Sequence, residues 1–234
     1  MESVTPIFVT SWHRPEMTKQ VIEVIHERTD DGTYEIHLWD NGSNNTTVET
    51  LFHMYGTKLF TSLHLDSRNT GCCYPKGVFQ AMADSEYYVV TDNDVLCPKL
   101  SPDWLSRMLA IMNEKPKIGL LTLRLPPEWL QMPISEDDNV IYCKAVGNTF
   151  KMVRRAAWPD KWSSTAMFGD DSTLSTLMAE KGWQIAFCKD LWCLHLGQCD
   201  NWGYTDDQVK MDPRKAGYGT PYVYKYEPDT YRPL

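Results

Sequence analysis

An α/β fold with a mostly parallel central sheet flanked by helices is predicted by three observations. Strand-like and helix-like segments alternate through about the first ninety residues, the rhythm of parallel βαβ units. The strand-like runs are short and apolar without polar alternation, as expected of strands buried on both faces. The loops richest in Asp, Asn, Gly and Arg follow those runs, and open parallel sheets bind ligands at the carboxyl ends of their strands.

Pro6–Ser11 is a run of β-formers and predicts the first strand. Trp12-His13-Arg14 then turns the chain, and Pro15 suits a first helical position. Met17, Val21, Val24 and Ile25 recur at helical spacing as far as Arg28. Asp31-Gly32 is a turn, Tyr34–Trp39 a second strand, and Asp40-Asn41-Gly42-Ser43 the loop after it. A helix is expected over Thr47–Tyr55 and a third strand over Leu59–Leu65. The loop Asp66–Gly71 follows, then a helix over Cys72–Ala83. Tyr87–Thr91 is the fourth strand, and it stops at Asp92-Asn93-Asp94.

The second half has a different rhythm. Pro102–Asn113 is read as a helix capped by Ser101, and Ile118–Leu123 as an apolar strand. Pro126–Asn139, rich in proline and acids, is expected to be a surface excursion. Val140–Val153 reads as strand with a bend at Gly147-Asn148. Gly169-Asp170-Asp171 opens a helix with Leu174, Leu177 and Met178 on one face, and Gly182 ends it. Trp183–Cys188 is a further strand, followed closely by His195. From Leu196 periodicity is lost, and the remaining stretch holds six of the twelve tyrosines. One domain over 1–195 is expected, with a nucleotide-binding half (1–100) and an acceptor half (101–195), followed by an irregular Tyr-rich C-terminal arm (196–234).

Composition narrows the function classes. A net charge of −8 argues against a surface that neutralises many nucleic-acid phosphates. No apolar run reaches the length of a membrane span. Seven cysteines without a CxxC pair give no zinc ribbon or redox motif, and free thiols suit a reducing compartment. With no signal-peptide pattern at Met1-Glu2-Ser3, a cytoplasmic protein is expected.

The chemistry concentrates at Asp92 and Asp94. Buried strands do not normally end in two acids, because carboxylates near apolar surroundings need a counter-charge. In an extended chain, residues two apart point the same way, so both carboxylates can converge on one hard divalent cation. The bland alternative is an Asx-rich turn in water. Asp40-Asn41-Gly42-Ser43 carries the same choice, since Asn-Gly by itself signals a turn. His195, between two leucines, is either a metal ligand or a buried, satisfied histidine.

Taken in order, Ile7–Pro15, Leu38–Ser43, Arg68-Asn69-Thr70-Gly71, Asp92-Asn93-Asp94, Gly169–Leu174 and His195 resemble glycosyltransferase family 2, whose members have the Rossmann-like GT-A fold. The resemblance spans roughly the first 195 residues. It implies that Thr10 and Arg14 lie beside the nucleotide, that Asp40 meets the base, and that Arg68, Asn69 and Gly71 line the nucleotide cleft. It implies that Asp92, Asn93 and Asp94 form the D-x-D segment at the donor diphosphate. Asp92, Asp94 and His195 are then the metal ligands. The pair Asp170-Asp171 takes the place of the catalytic-base motif, with Asp171 as base and Asp170 as its structural partner. The family usually has Glu followed by Asp there, and this chain has two Asp. An acid at a helix start can also serve only as a cap.

The activity implied is transfer of a sugar from a nucleotide donor, a UDP-sugar by expectation, to a hydroxyl acceptor on a glycan, glycoconjugate or modified base. Mixed oxygen and nitrogen ligands suit Mn²⁺ better than Mg²⁺. A carboxylate base implies inversion at the anomeric carbon. No membrane helix follows the domain, so a processive synthase is not expected, and the Tyr-rich arm is expected to cap the acceptor cleft or bridge a homodimer. The rival reading, a nucleotidyltransferase acting on sugar phosphates, calls for a Gly-rich basic loop after the first strand, and Thr10–Pro15 contains no glycine.

Overall fold

The computed structural model describes residues 4–67, 79, 82–125, 133–159 and 171–196, with Asp171 and Ser172 described in their backbone only. The parallel half comes first: β1 (Thr5–Ser11), α1 (Pro15–Arg28), β2 (Tyr34–Asp40), α2 (Asn45–Gly56), β3 (Ser62–Leu65) and β4 (Tyr87–Asp92). After it come β5 (Val95–Leu96), α3 (Trp104–Glu114), β6 (Ile118–Arg124), β7 (Pro133–Glu136), β8 (Val140–Cys143), β9 (Lys151–Arg154), α4 (Asp171–Glu180), β10 (Gln184–Trp192) and β11 (Leu194–His195).

The main sheet has the order β3-β2-β1-β4-β9-β6-β10-β8-β7. β3, β2, β1 and β4 are mutually parallel, and β9 runs against both β4 and β6. β10 is parallel to β6, β8 runs against β10 and β7 against β8, so seven of the described strands of this sheet share one direction and β8 and β9 oppose it. That is the mostly parallel α/β sheet expected from the sequence.

Both faces are covered, which is why the strand sequences show no alternation. Ile7 and Val9 of β1, Leu38 of β2 and Val89 of β4 pack with Val21, Ile25, Leu51, Trp104 and Met108 from α1, α2 and α3. Phe8, Trp39, Tyr88 and Val90 point the other way, towards Phe79 and the Leu174 and Met178 side of α4. β6 tolerates close packing because of Gly119. A Cβ there would sit 3.0 Å from the Cβ atoms of Ala157 and Trp183.

Several boundaries differ from the sequence reading. Asp103, not Ser101, caps α3: its Oδ1 accepts from Leu105 N at 2.8 Å and Ser106 N at 3.2 Å. α2 begins earlier, because Asn44 accepts from Thr47 N. The third strand starts at Ser62, since Leu59 and Phe60 supply packing rather than ladder bonds. Within the acidic stretch read as a surface excursion, Pro133–Glu136 forms the edge strand β7, exposed along its whole length. Val140–Val153 splits into β8 and β9 around the Gly147-Asn148 bend. Most of the helix expected over Cys72–Ala83 lies outside the described residues.

Candidate functional site

Parallel pairing sets the site. Register pairs Ser11 with Asp40, Thr10 with Asp92, and Asp40 with Leu65, so the ends of four strands form one edge. β4 ends on Asp92, and Asn93-Asp94 turns the chain into the short strand β5. There β11 pairs antiparallel with β5, matching His195 to Val95 and Leu194 to Leu96. Leu196 N donates to the Asp94 carbonyl at 2.7 Å. This two-stranded ladder sets His195 beside Asp94, although they are about a hundred residues apart in the chain.

Asp94 is only 4% exposed. Its Oδ2 accepts from Arg14 Nη1 at 2.8 Å, and its Oδ1 lies 3.9 Å from His195 Nε2. That Oδ1 accepts no hydrogen bond although it is fully buried. Burial opposes the Asp94 charge, but His195 and Arg14 outweigh it and hold the carboxyl below the usual carboxylate range.

Asp92 is fixed from two sides. Its Oδ1 accepts from Thr10 Oγ1 at 2.9 Å and from Asn148 Nδ2 at 3.3 Å. Asn93 is buried, its Oδ1 accepting from Arg14 Nη2 at 2.7 Å and its Nδ2 donating to Thr18 Oγ1 at 2.9 Å. Thr10, Asp92 and Asn148 form one bonded group, and Arg14, Asn93, Asp94 and Thr18 form a second.

The turn that delivers Arg14 is unusual. His13 and Arg14 both have φ of 54°, a left-handed conformation that residues other than glycine adopt rarely and at a cost. Pro15 then starts α1, which pre-sets the helix directly after the turn. His13 N donates to Ser43 Oγ at 2.7 Å, and Ser43 N donates to Asp40 Oδ2 at 2.8 Å. Asp40 is fully buried and holds its own loop through Ser43. Burial pushes its carboxyl above the usual range, against the Ser43 bonds. The turn behind Asp40 is thus real, and its carboxylate faces Ser43 in this state. His13 is also buried, and burial lowers its imidazole below the ordinary histidine range.

A small cavity of about 10 Å³ lies between the sheet and α4, among the mostly buried side chains of Phe79, Tyr88, Val90, Asn148, Lys151 and Leu174. Leu174 belongs to the first turn of α4, the helix that Asp171 opens. Ser175 of α4 also accepts from Val146 N at 3.3 Å, tying that helix to the Asn148 segment. Arg68, Asn69, Gly71 and Asp170 lie outside the described residues. Asn148 was not legible as a site residue. Its only sequence signal was the bend it makes after Gly147. Its Nδ2 reaches Asp92 while its Oδ1 is buried without a hydrogen bond.

Two ligands each about 2.1 Å from one divalent ion can be at most about 4.2 Å apart, and the 3.9 Å between Asp94 Oδ1 and His195 Nε2 falls inside that span. The buried Asp94 Oδ1, without a hydrogen bond, could accept such an ion. Among the described residues, no group of three or more His, Cys, Asp and Glu is arranged to hold a metal by itself. A cation here therefore needs further oxygens from water or a ligand, which is how phosphate-bound Mg²⁺ and Mn²⁺ are usually held.

No protein-family model and no curated protein matches the chain. Solved structures do. A mannosyltransferase, PcManGT from Pyrobaculum calidifontis, in complex with GDP-Man and Mn²⁺, is similar over 82% of this chain and 56% of its own, with a TM-score of 0.61 and 16% identity. GalNAc-T7 with UDP, GalNAc and Mn²⁺ is similar over 82% of this chain and 43% of its own, with a TM-score of 0.63 and 11% identity. TarS 1-349 of S. aureus in complex with UDP is similar over 82% of this chain and 59% of its own, with a TM-score of 0.56 and 15% identity. The chain spans roughly half the length of these structures. At such identities the likeness is one of fold, and the fold is GT-A, as expected from the strand-end motifs.

Proposed function

We propose that the chain is a metal-dependent glycosyltransferase that moves a sugar from a UDP-sugar to a hydroxyl acceptor with inversion. One observation carries the reading. A buried Asp94 oxygen without a hydrogen bond and the His195 imidazole meet 3.9 Å apart at the carboxyl edge of a GT-A sheet. The mannosyltransferase and GalNAc-T7 neighbours were solved with Mn²⁺ and with GDP-Man or UDP, and TarS with UDP, which supports the choice of metal and donor class.

Asp94 and His195 would hold the ion, with its remaining oxygens from water or the donor. When bound, a divalent cation stabilises the negative charge that develops on the departing diphosphate. The chain's own residues do the rest. Thr10 and Asn148 fix the Asp92 carboxylate, so it enters the donor site already oriented. Asp171, at the start of α4, takes the proton from the acceptor hydroxyl, a step worth about 10²–10⁴-fold in rate.

The test is turnover of UDP-, GDP- and dTDP-sugars with Mn²⁺, with and without chelator. Chelator and Asp94→Ala are each expected to lower turnover by at least about 10²-fold. Asp171→Asn is expected to abolish transfer while UDP binding persists. Turnover indifferent to chelator and to Asp94→Ala would end the metal reading; transfer surviving in Asp171→Asn would end the base assignment.

A further inference from the structure

We infer that Arg14 is a resident counter-cation for Asp94 that changes partner when metal and nucleotide bind. The inference rests on the metal-assisted reading above. Asp94 is a charge with a side chain only 5% exposed, and a buried carboxylate must be neutralised by something. Here that something is the Arg14 guanidinium. Its fork is divided: Nη1 goes to Asp94 Oδ2 at 2.8 Å and Nη2 to Asn93 Oδ1 at 2.7 Å. Asp94 thus receives one bond rather than the paired contact that makes arginine–carboxylate recognition strongest. The remaining oxygen, Oδ1, is the one without a hydrogen bond.

The Arg14 backbone is pinned independently of its guanidinium. Thr18 N and Thr18 Oγ1 both donate to the Arg14 carbonyl, at 3.0 and 3.1 Å. His13 N is held by Ser43, and the His13 carbonyl accepts from Asn93 Nδ2 at 3.4 Å. Two consecutive left-handed residues are therefore held in place, and only the long side chain of Arg14 has to swing. A divalent cation on Asp94 sits within a few ångströms of that guanidinium, and like charges at that range repel. Without a nucleotide, metal and Arg14 compete for one carboxylate. A diphosphate removes the conflict, because it offers the guanidinium an anionic partner and the metal more oxygens. Arg14 is thus a positioning residue that makes metal and nucleotide binding cooperative, and the coupling must be reciprocal.

The test is Mn²⁺ titration of the full chain, followed by the signal of the free ion, with and without UDP. Without UDP, Arg14→Gln is expected to bind Mn²⁺ roughly tenfold tighter than wild type, within the usual range of site-to-site coupling. With UDP the advantage closes or reverses. The melting temperature of Arg14→Gln is expected to be lower than wild type without metal and to rise further than wild type on adding Mn²⁺. Asn93→Ala, which removes the second anchor of the fork and leaves Asp94 intact, serves if Arg14→Gln does not fold, and it shifts Mn²⁺ affinity in the same direction. Equal Mn²⁺ affinity in wild type and the folded variants overturns the exchange and leaves the metal site standing. No Mn²⁺ binding by any of them, even with UDP, removes the metal site and the exchange together.

Discussion

Asp94 and Asp103 are the same side chain at the same burial, each 4% exposed, and the protein treats them in opposite ways. Asp103 is saturated. Its Oδ1 accepts from two backbone amides of α3 and its Oδ2 from Ser106 Oγ at 2.7 Å. Asp94 has one hydrogen-bonded oxygen and one bare one, beside an imidazole too far away for a hydrogen bond. Arg154 repeats the saturated pattern with positive charge. Buried at 6% exposure, it donates to the carbonyls of Ile118, Met112 and Lys115, to Glu86 and to Tyr87 Oη. A buried charge that serves only the fold has its bonding capacity filled from within the chain. The part-filled Asp94, at the edge of the sheet, is the charge whose spare capacity we propose is kept for a ligand.

The contrast can be broken at its saturated end. Arg154→Met removes the guanidinium from the buried carbonyls of Ile118 and Met112 and is expected to cost about 3–5 kcal/mol of stability. Urea unfolding measures it, and Mn²⁺-dependent UDP affinity of the folded fraction should not move. A change in that affinity larger than the change in stability would show that Arg154 belongs to the site. Asp103→Ala removes the cap of α3 and is expected to cost about 1 kcal/mol, again without effect on nucleotide affinity.

The smallest effect sharpens the comparison at the surface. Asp137 accepts from Lys115 Nζ, Tyr142 Oη and the amides of Asn139 and Val140. Burial works against its charge, but these bonds prevail and hold its carboxyl well below the usual range. A carboxyl lowered on folding stabilises the native state above its unfolded value, near 3.9, and loses that contribution as pH falls towards the folded value. Wild type should therefore exceed Asp137→Asn in stability by a constant margin above about pH 5. The margin should shrink as the medium is made more acid, and one that grows instead would contradict the bonding described. The carboxylate is about a third exposed, so the effect is modest.

What could be read early depended on how local its cause was. β1, β2 and β4 were legible because strands covered on both faces must be apolar throughout, whatever surrounds them. Asp92 and Asp94 stood out because acids contradict such a run. The edge strand β7 was not legible: Pro133–Glu136 is exposed along its length and so lacks the apolar signature. The cap of α3 was misplaced by two residues because Ser101 and Asp103 are both good caps. The choice fell to Asp103 because Trp104, immediately after it, is buried against Phe150 and its indole N–H reaches Thr29.

The alternation of strands and helices in the first half, and the acids that interrupt its apolar strands, were determined by the sequence alone, since each depends on neighbours within a few positions. Which of those residues touch was decided only in three dimensions. A two-residue ladder sets His195 on Asp94, a left-handed turn points Arg14 at that same acid, and the bend at Asn148 brings an amide to Asp92. Such contacts join distant parts of the chain, and their energy comes from burial and charge neutralisation that no stretch of sequence possesses by itself.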